Sequence, residues 1–382
     1  MSLLSALNAA TSGLRVTQAG IGVVSGNVAN ADTAGYTRRR LAPVQLLAGE
    51  RTSGVRVGEI ERVIDLVAQR QLRLETAGAA YTSLGARFAS ELDRLFGQPG
   101  GNGSLDSAMN GFTEALQALQ SDPASFTARN AVLNAATALT TRIGSIAGGI
   151  QSLRTDAENR IASAVTRANE LLTGIAAINA KVVSSGTQTP APALLDERDR
   201  LVDELSKLTD LQVVDGQGGS VSLITSSGLM LFDGSSAVKL NFDGRAMLDA
   251  KAQYSTDPSQ RGVGTITATT IQGSSVDAVA NGFFRSGEIA AALALRDTVL
   301  PQAQRQLDEL AAGLSRAVSD RQVVGAAAGG GLEIDLAGLK AGNAVTVDYT
   351  VGGVAKRVIL MPTTGGRQTR FRRPTPPPRT RP

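Results

Sequence analysis

Residues 139–183, LTTRIGSIAGGIQSLRTDAENRIASAVTRANELLTGIAAINAKVV, carry the pattern on which the fold turns. Apolar or small side chains fall at Leu139, Ile143, Ile146, Ile150, Leu153, Ala157, Ile161, Ala164, Ala168, Leu171, Ile175, Ile178 and Val182. Steps of three and four keep them on one face of a helix. One extra four-residue step, Leu153 to Ala157 to Ile161, is a stutter, which locally unwinds a coiled coil. Asp122-Pro123 favours a helical start just upstream. The predicted helix therefore covers about 124–184, and roughly sixty helical residues span about 90 Å. That length suits a rod-like bundle better than a compact enzyme.

The flanking sequence supplies partners for this rod. A helix is predicted over 59–96, with Ile60, Val63, Val67, Leu74, Tyr81, Leu84, Phe88 and Leu95 on one stripe, ending at GQPGGNGS (97–104). Shorter helices follow over 105–120 and 193–210. Helical periodicity returns over 286–320, where Leu293, Leu300, Leu307 and Leu314 stand seven apart. Between them, 211–275 breaks into short β-type runs (LQVV, SVSLI, LMLF, VKLNF, GTITATTI) separated by DG, GG, SSG and DPS. These are hairpin signals. Residues 332–361 are β-like again, and the Arg/Pro-rich tail has no core-forming pattern, so it is read as disordered.

The N-terminal thirty residues hold a second, weaker heptad stripe: Leu3, Leu7, Ala10, Leu14, Thr17, Ile21, Val24 and Val28. Gly13, Gly20, Gly22 and Gly26 lower helix propensity, so this helix should order only against partner helices.

Composition removes several chemistries. The 382 residues contain no Cys, His or Trp. Thiol nucleophiles, Ser-His-Asp arrangements and Cys/His zinc sites are therefore excluded. The last sixteen residues, RQTRFRRPTPPPRTRP, hold six arginines, and the remaining 366 carry 32 basic and 34 acidic side chains. The basic balance belongs to the tail and gives no case for nucleic acid. No stretch approaches the roughly 20 apolar residues of a membrane span. The first charged side chain is Arg15, so no cleavable signal peptide is expected.

The densest acidic cluster, Asp196, Glu197, Asp199, Asp203 and Glu204, could hold a hard metal or act as paired acid and base. On a helix, however, Leu194, Leu195, Leu201, Val202, Leu205 and Leu208 define the buried side. The acids then form a solvated face, with Asp196–Arg200 and Asp203–Lys207 as i,i+4 ion pairs. RTSGVRVGEI and FDGSSAVKL read as turns, and no phosphate-binding loop appears. No catalytic, cofactor-binding or metal-ligating residue is assigned.

NVANADTAGYTRRR (27–40) follows the N-terminal stripe. Asn27 and Asn30 can bond backbone groups left open at the helix end, and Asp32 suits an Asx-turn. Gly35 provides a positive φ, and Tyr36 can anchor the extended segment against its own or a neighbouring helix. In an extended segment Arg38 and Arg40 share one side while Arg39 faces the other. A solvated strand edge is the simple reading of the three arginines.

This stretch resembles the N-terminal signature of bacterial flagellar axial proteins, the rod, hook and hook-associated subunits. A heptad helix there runs into N-[IV]-[AS]-N-x-[ND]-T-x-G-[YF]-[ST], matched here by Asn27, Val28, Ala29, Asn30, Asp32, Thr33, Gly35, Tyr36 and Thr37. ALLDERDRLVDELSKLTDLQVV (193–214) and RSGEIAAALALRDTVLPQAQRQLDELAAGLSRAV (285–318) are similar to the hook-associated protein 1 family, the first junction protein between hook and filament. The resemblance implies a secreted structural subunit, exported by the flagellar type III route. It also implies contacts with copies of itself, the hook protein and the second junction protein, and an export chaperone, with no cofactor, nucleic acid or membrane insertion. Asn27, Asn30, Asp32, Thr33, Gly35 and Tyr36 become subunit-contact residues. Leu3, Leu7, Leu14, Ile21, Val24 and Val28 become the packing face of the tube-wall helix.

The family closes with a C-terminal helix paired with the N-terminal one. Nothing of that kind appears before RQTRFRRPTPPPRTRP, and the chain is read as C-terminally truncated by a frameshift or early stop. The expected fold is mainly α with a β insertion: an elongated helical bundle with long coiled-coil-like helices plus a small all-β domain. Its parts are the heptad helix and motif (1–35), the bundle (36–210 plus 285–322), the β-rich insertion (211–284), the start of an outer β domain (323–362) and the tail (363–382). Another axial protein, a hook or rod subunit, and a carboxylate-dependent wall hydrolase are the alternatives.

Overall fold

The computed structural model describes residues 3–48, 51–185, 191–319, 326–328, 331–333 and 345–360. The expected disordered tail and truncated end lie outside them. The chain divides into two compact units, Met1–Leu310 and Ala311–Pro382.

The first unit opens with helix α1 (Leu3–Ala29) and a β arm of four short strands: β1 (Arg39–Leu41), β2 (Val44–Ala48), β3 (Arg51–Arg56) and β4 (Ile60–Arg62). Antiparallel pairs β1–β4 and β2–β3 make up the arm. Residues 36–65 were expected in the helical bundle, with a helix from 59, but α2 runs over Leu66–Phe96. Ile60 carries the helical period, yet it sits in β4 opposite Leu41. The helix starts where Asp65 accepts the amides of Val67 and Ala68, satisfying two donors that the first turn leaves open. RTSGVR, read as a turn, is β3.

Helices α3 (Leu105–Ser121), α4 (Phe126–Ser184) and α5 (Pro192–Leu208) follow, close to their expected bounds. Ser104 and Ser125 cap α3 and α4, and Pro192 begins α5, where its missing N–H costs nothing. Every residue of the α4 stripe is buried or half-buried, and Ile146, Ile150, Ala157, Ile161 and Ile175 are fully so. Helices α2, α3 and α5 pack along it.

Two three-stranded antiparallel sheets close the core. One has the order β5-β6-β7 (Gln212–Asp215, Val221–Ile224, Met230–Phe232). The other has the order β10-β9-β8 (Ser275–Asp277, Ile266–Thr269, Lys239–Phe242). Their inward residues Leu223, Leu231, Phe232, Leu240, Ile266 and Ala268 belong to the same apolar cluster as Ile161, Leu172, Leu205 and Ile289. Burial of these side chains is the main favourable term. The strands thus share one core with the helices. Helix asparagines finish the joins. Asn169 Nδ2 donates to the Leu240 carbonyl and its Oδ1 accepts the Leu240 amide, so one α4 side chain pairs like a strand residue.

The predicted 286–320 helix is interrupted once. Helix α6 (Gly287–Ala294) passes through a π-helical turn, Leu295–Val299, into α7 (Leu300–Ser319). That turn carries Arg296 into the core, fully buried, where Nη1 donates to Glu158 (2.6 Å) and to the Gly264 carbonyl (2.7 Å). Glu158 Oε1 accepts the amides of Arg245 and Gly264, while Arg154 donates to the carbonyls of Asp249, Ala250 and Ala252. Burial lowers the Arg154 pKa. Arg154 and Glu158 sit at the stutter, where unwinding brings polar positions beside the apolar seam.

In the second unit, β11 (Ala326–Ala328) pairs with β12 (Gly331–Glu333), and β13 (Val345–Val351) pairs with β14 (Val354–Leu360), all antiparallel. Among the described residues, no helix is long and apolar enough to cross a membrane.

Candidate assembly surface

Helix α1 has two unlike faces. Ala9, Ser12, Val16, Ala19, Val23 and Asn27 are half-buried, and α1 packs on β3 and β1. Small residues let the backbones close in. Ser12 Oγ accepts the Val55 amide (3.1 Å), and a Cβ on Gly54 would lie 2.6 Å from that oxygen. The heptad stripe faces the other way. Leu7, Leu14, Ile21, Val24 and Val28 are between 61% and 73% exposed, and Ala10 and Thr17 are exposed too. Leu3 begins the helix, but its side chain lies outside the described residues. A row of apolar residues this long on one helix face marks a surface awaiting a partner.

The turn after α1 is closed by its own polar residues. Asn30 Nδ2 donates back to the Gly26 carbonyl, and Thr33 Oγ1 donates to Asn30 Oδ1. Asp32 is exposed. Gly35 has φ +82°, and its α-carbon lies against Arg200, where an added Cβ would come within 3.4 Å of that side chain. Asn27 reaches past the helix end. Its Nδ2 donates to the Arg39 carbonyl (2.9 Å) and its Oδ1 accepts the Arg39 amide (2.8 Å) and the Tyr36 hydroxyl (2.9 Å). Tyr36 therefore anchors to its own helix, and the Arg39 guanidinium stacks 4.8 Å from its ring centre.

The acidic cluster of α5 is not the solvated face expected from sequence, and the two i,i+4 pairs do not carry it. Asp196, whose side chain is 10% exposed, accepts from Thr37 Oγ1, Arg39 (3.2 Å) and Arg62 (3.2 Å). Asp199 accepts from Arg62 (2.7 Å) and Arg73 (3.2 Å), and Asp203 from Arg73 (2.6 Å). Three arginines and three aspartates thus alternate in one ladder from the β arm across α5 to α2. Arg200 turns outward to Glu197 and Glu204 (both 2.6 Å), and its hydrogen bond holds the Glu197 carboxyl below the usual range. Each carboxylate is occupied by a guanidinium. Among the described residues, no group of acids is arranged to hold a metal ion.

The sequence left Arg39, Arg62 and Arg73 out of the site. Two signals were available: Arg39 alternates in facing with Arg38 and Arg40, and Arg73 lies on the α2 face that buries Ala77, Leu84 and Phe88.

The family model described as flagellar hook-associated protein FlgK helical domain matches residues 89–336, and that of the flagella basal body rod protein matches 7–37. The chain is similar to flagellar hook-associated protein 1 of Salmonella typhimurium, with 27% identity over 370 residues, 93% of this chain and 64% of that protein. The Bacillus subtilis protein of the same name is 26% identical over 240 residues, 59% of this chain and 47% of that protein. The chain thus spans about half to two-thirds of these relatives' lengths. The structure of the flagellar hook junction protein FlgK from Burkholderia pseudomallei shares the fold, with a TM-score of 0.54 at 23% identity, covering 68% of this chain and 44% of that one. With well over half its length matched by the helical-domain model, the chain belongs to the flagellar hook-associated protein FlgK family.

Proposed function

We propose that this protein is a structural subunit of the bacterial flagellum at the junction of hook and filament. The observation that carries the reading is the α1 stripe, apolar, continuous and uncovered, on a helix whose other face is already packed. Such a helix gains its stability from neighbours. Repeated heterologous contacts between copies build an open helical array, and the junction needs only a short one. Asn27, Asn30, Thr33, Gly35 and Tyr36 hold the exit turn so that the stripe is presented at a fixed angle, with Asp32 exposed beside it.

The partners follow from the same reading: further copies of this chain, the hook protein on one side and the second junction protein on the other. Export proceeds through the type III channel with the chain unfolded and escorted by a chaperone. The match over 89–336 favours the junction subunit over a hook or rod subunit, since the rod-protein match is confined to α1 and its turn.

Antibody raised against α4 tests the assignment on purified hook–basal bodies. A single band at the distal end of the hook is expected. Label along the hook, in the rod, or nowhere on the structure would overturn it. Leu14→Asp with Ile21→Asp should abolish the band while the secreted chain keeps its helical content.

A further inference from the structure

We infer that the arginine–aspartate ladder is a releasable latch, which sets the angle between the α1–β arm and the helical bundle and lets the two separate when its charges are removed. This inference concerns the free chain and stands whatever the assembly site.

The connectivity makes the latch decisive. Helix α1 and strands β1–β4 precede α2, so the arm's one covalent link to the bundle is the short stretch Val63–Asp65. Helix α1 packs on β1 and β3, and the principal arm-to-bundle packing is β4 against α5. Beside it, Gly35 of the turn after α1 lies against the side chain of Arg200. No arm strand contributes a residue to the large apolar core. What crosses is the ladder: Thr37, Arg39 and Arg62 from the arm, and Asp196 and Asp199 from α5.

The arm is also tied to itself. Asn27 holds Arg39, Ser12 holds Val55, Arg40 pairs with Glu61 (2.8 Å), and β1 is paired with β4. Opening the ladder therefore moves α1 and its strands as one piece about Val63–Asp65. On the bundle side, Arg73 remains with Asp199 and Asp203, so α5 does not face the loss of every counter-charge. Arg62 Nη1 serves Asp196 and Asp199 at once, so a single side chain closes the centre of the latch. Arg39 is the more exposed rung (27%), whereas Arg62, Asp196 and Asp199 are 10–14% exposed, so salt loosens the Arg39 contact and screens the Arg62 centre much less. Rigid-body hinging with the pivot in a few residues between elements is an ordinary mode of change.

The absence of cysteine allows clean spin labelling. Gln18→Cys with Ser163→Cys reports arm against bundle, and Ser163→Cys with Gln302→Cys reports the bundle alone. The arm–bundle pair should give one narrow distance distribution, which stays narrow in about 1 M NaCl because the Arg62 centre is shielded from solvent. Arg39→Gln with Arg62→Gln should broaden it at every salt concentration. Arg39→Lys with Arg62→Lys should leave it narrower than the Gln pair does, since the charges remain while the guanidinium fork is lost. The bundle pair should stay narrow throughout. An arm–bundle distance that remains narrow in the double Gln variant overturns the latch. A bundle distance that broadens with it also overturns it, by assigning the ladder to bundle stability.

Discussion

Helices α1 and α4 carry the same kind of apolar period and meet opposite fates. The α4 stripe is the axis of the core, with Ile161 fully buried, while the equivalent Ile21 of α1 is 62% exposed. The difference lies in what the rest of the chain supplies. Around α4 stand α2, α3, α5, α6 and two sheets; among the described residues α1 packs on β1 and β3 of the arm, which take its small-residue face. A heptad therefore states that a face will be buried, and the surrounding chain decides whether the cover comes from within.

The largest expected effect lies at the α4 stutter. Glu158→Ala leaves the buried Arg296 with Asp297 (2.7 Å) as its remaining carboxylate and strands the Arg245 and Gly264 amides, and removing one partner of a buried pair costs up to about 3–5 kcal/mol. Urea unfolding should show that loss, while no single exposed residue of the α1 stripe gives anything similar. Next comes a matched pair. Ile161→Ala should destabilise by about 2–5 kcal/mol, whereas Ile21→Ala should stay within about 0.5 kcal/mol in the free chain. If Ile21→Ala costs as much as Ile161→Ala, α1 is already covered.

Gly35→Val forces a branched residue into positive φ, which costs about 1–2 kcal/mol before any clash with Arg200. Its effect should be confined to the arm: faster proteolysis near residues 30–40 with an unchanged urea midpoint for the bundle. The smallest effect is electrostatic. Glu197, with its pKa depressed by the Arg200 hydrogen bond, stabilises fully above its unfolded value of about 4.3, and that contribution is lost as pH falls through the lower folded value. The melting-temperature gap between the natural chain and Glu197→Gln should therefore be present at pH 7 and close on acidification.

Helices longer than about two turns were legible because their apolar steps repeat many times. Residues 139–182 needed only their spacing, and Gly97 and Asp122-Pro123 marked where neighbours stop. The arm was not legible as strands. Ile60 and Val63 fit the period of α2, and only Asp65 capping the helix, with Arg39–Leu41 pairing across to Ile60–Arg62, removes them from it. Local pattern cannot carry information about a strand twenty residues away.

The site divides along the same line. The roles of Asn30 and Gly35 were readable because their chemistry is local. Asn27 was expected to serve the helix end and instead pairs with Arg39, twelve residues on. Asp196 and Asp199 were expected on a solvated face because their leucine neighbours define the buried one. That inference overlooked arginines brought from residues 39, 62 and 73, more than a hundred positions away. The stutter was visible, but the charges it admits to the core were not, since Arg154 and Glu158 look like ordinary helix-surface residues in sequence.

Hydrogen exchange resolved along the chain, read in the free protein and again after incorporation at hook ends, reports whether α1 is covered by neighbours. In the free chain the amides of α1 should exchange far faster than those of residues 146–175 in α4. After incorporation the α1 amides should become protected, with little change in α4. Protection of α1 equal to that of α4 in the free chain, or no gain on incorporation, would contradict the account.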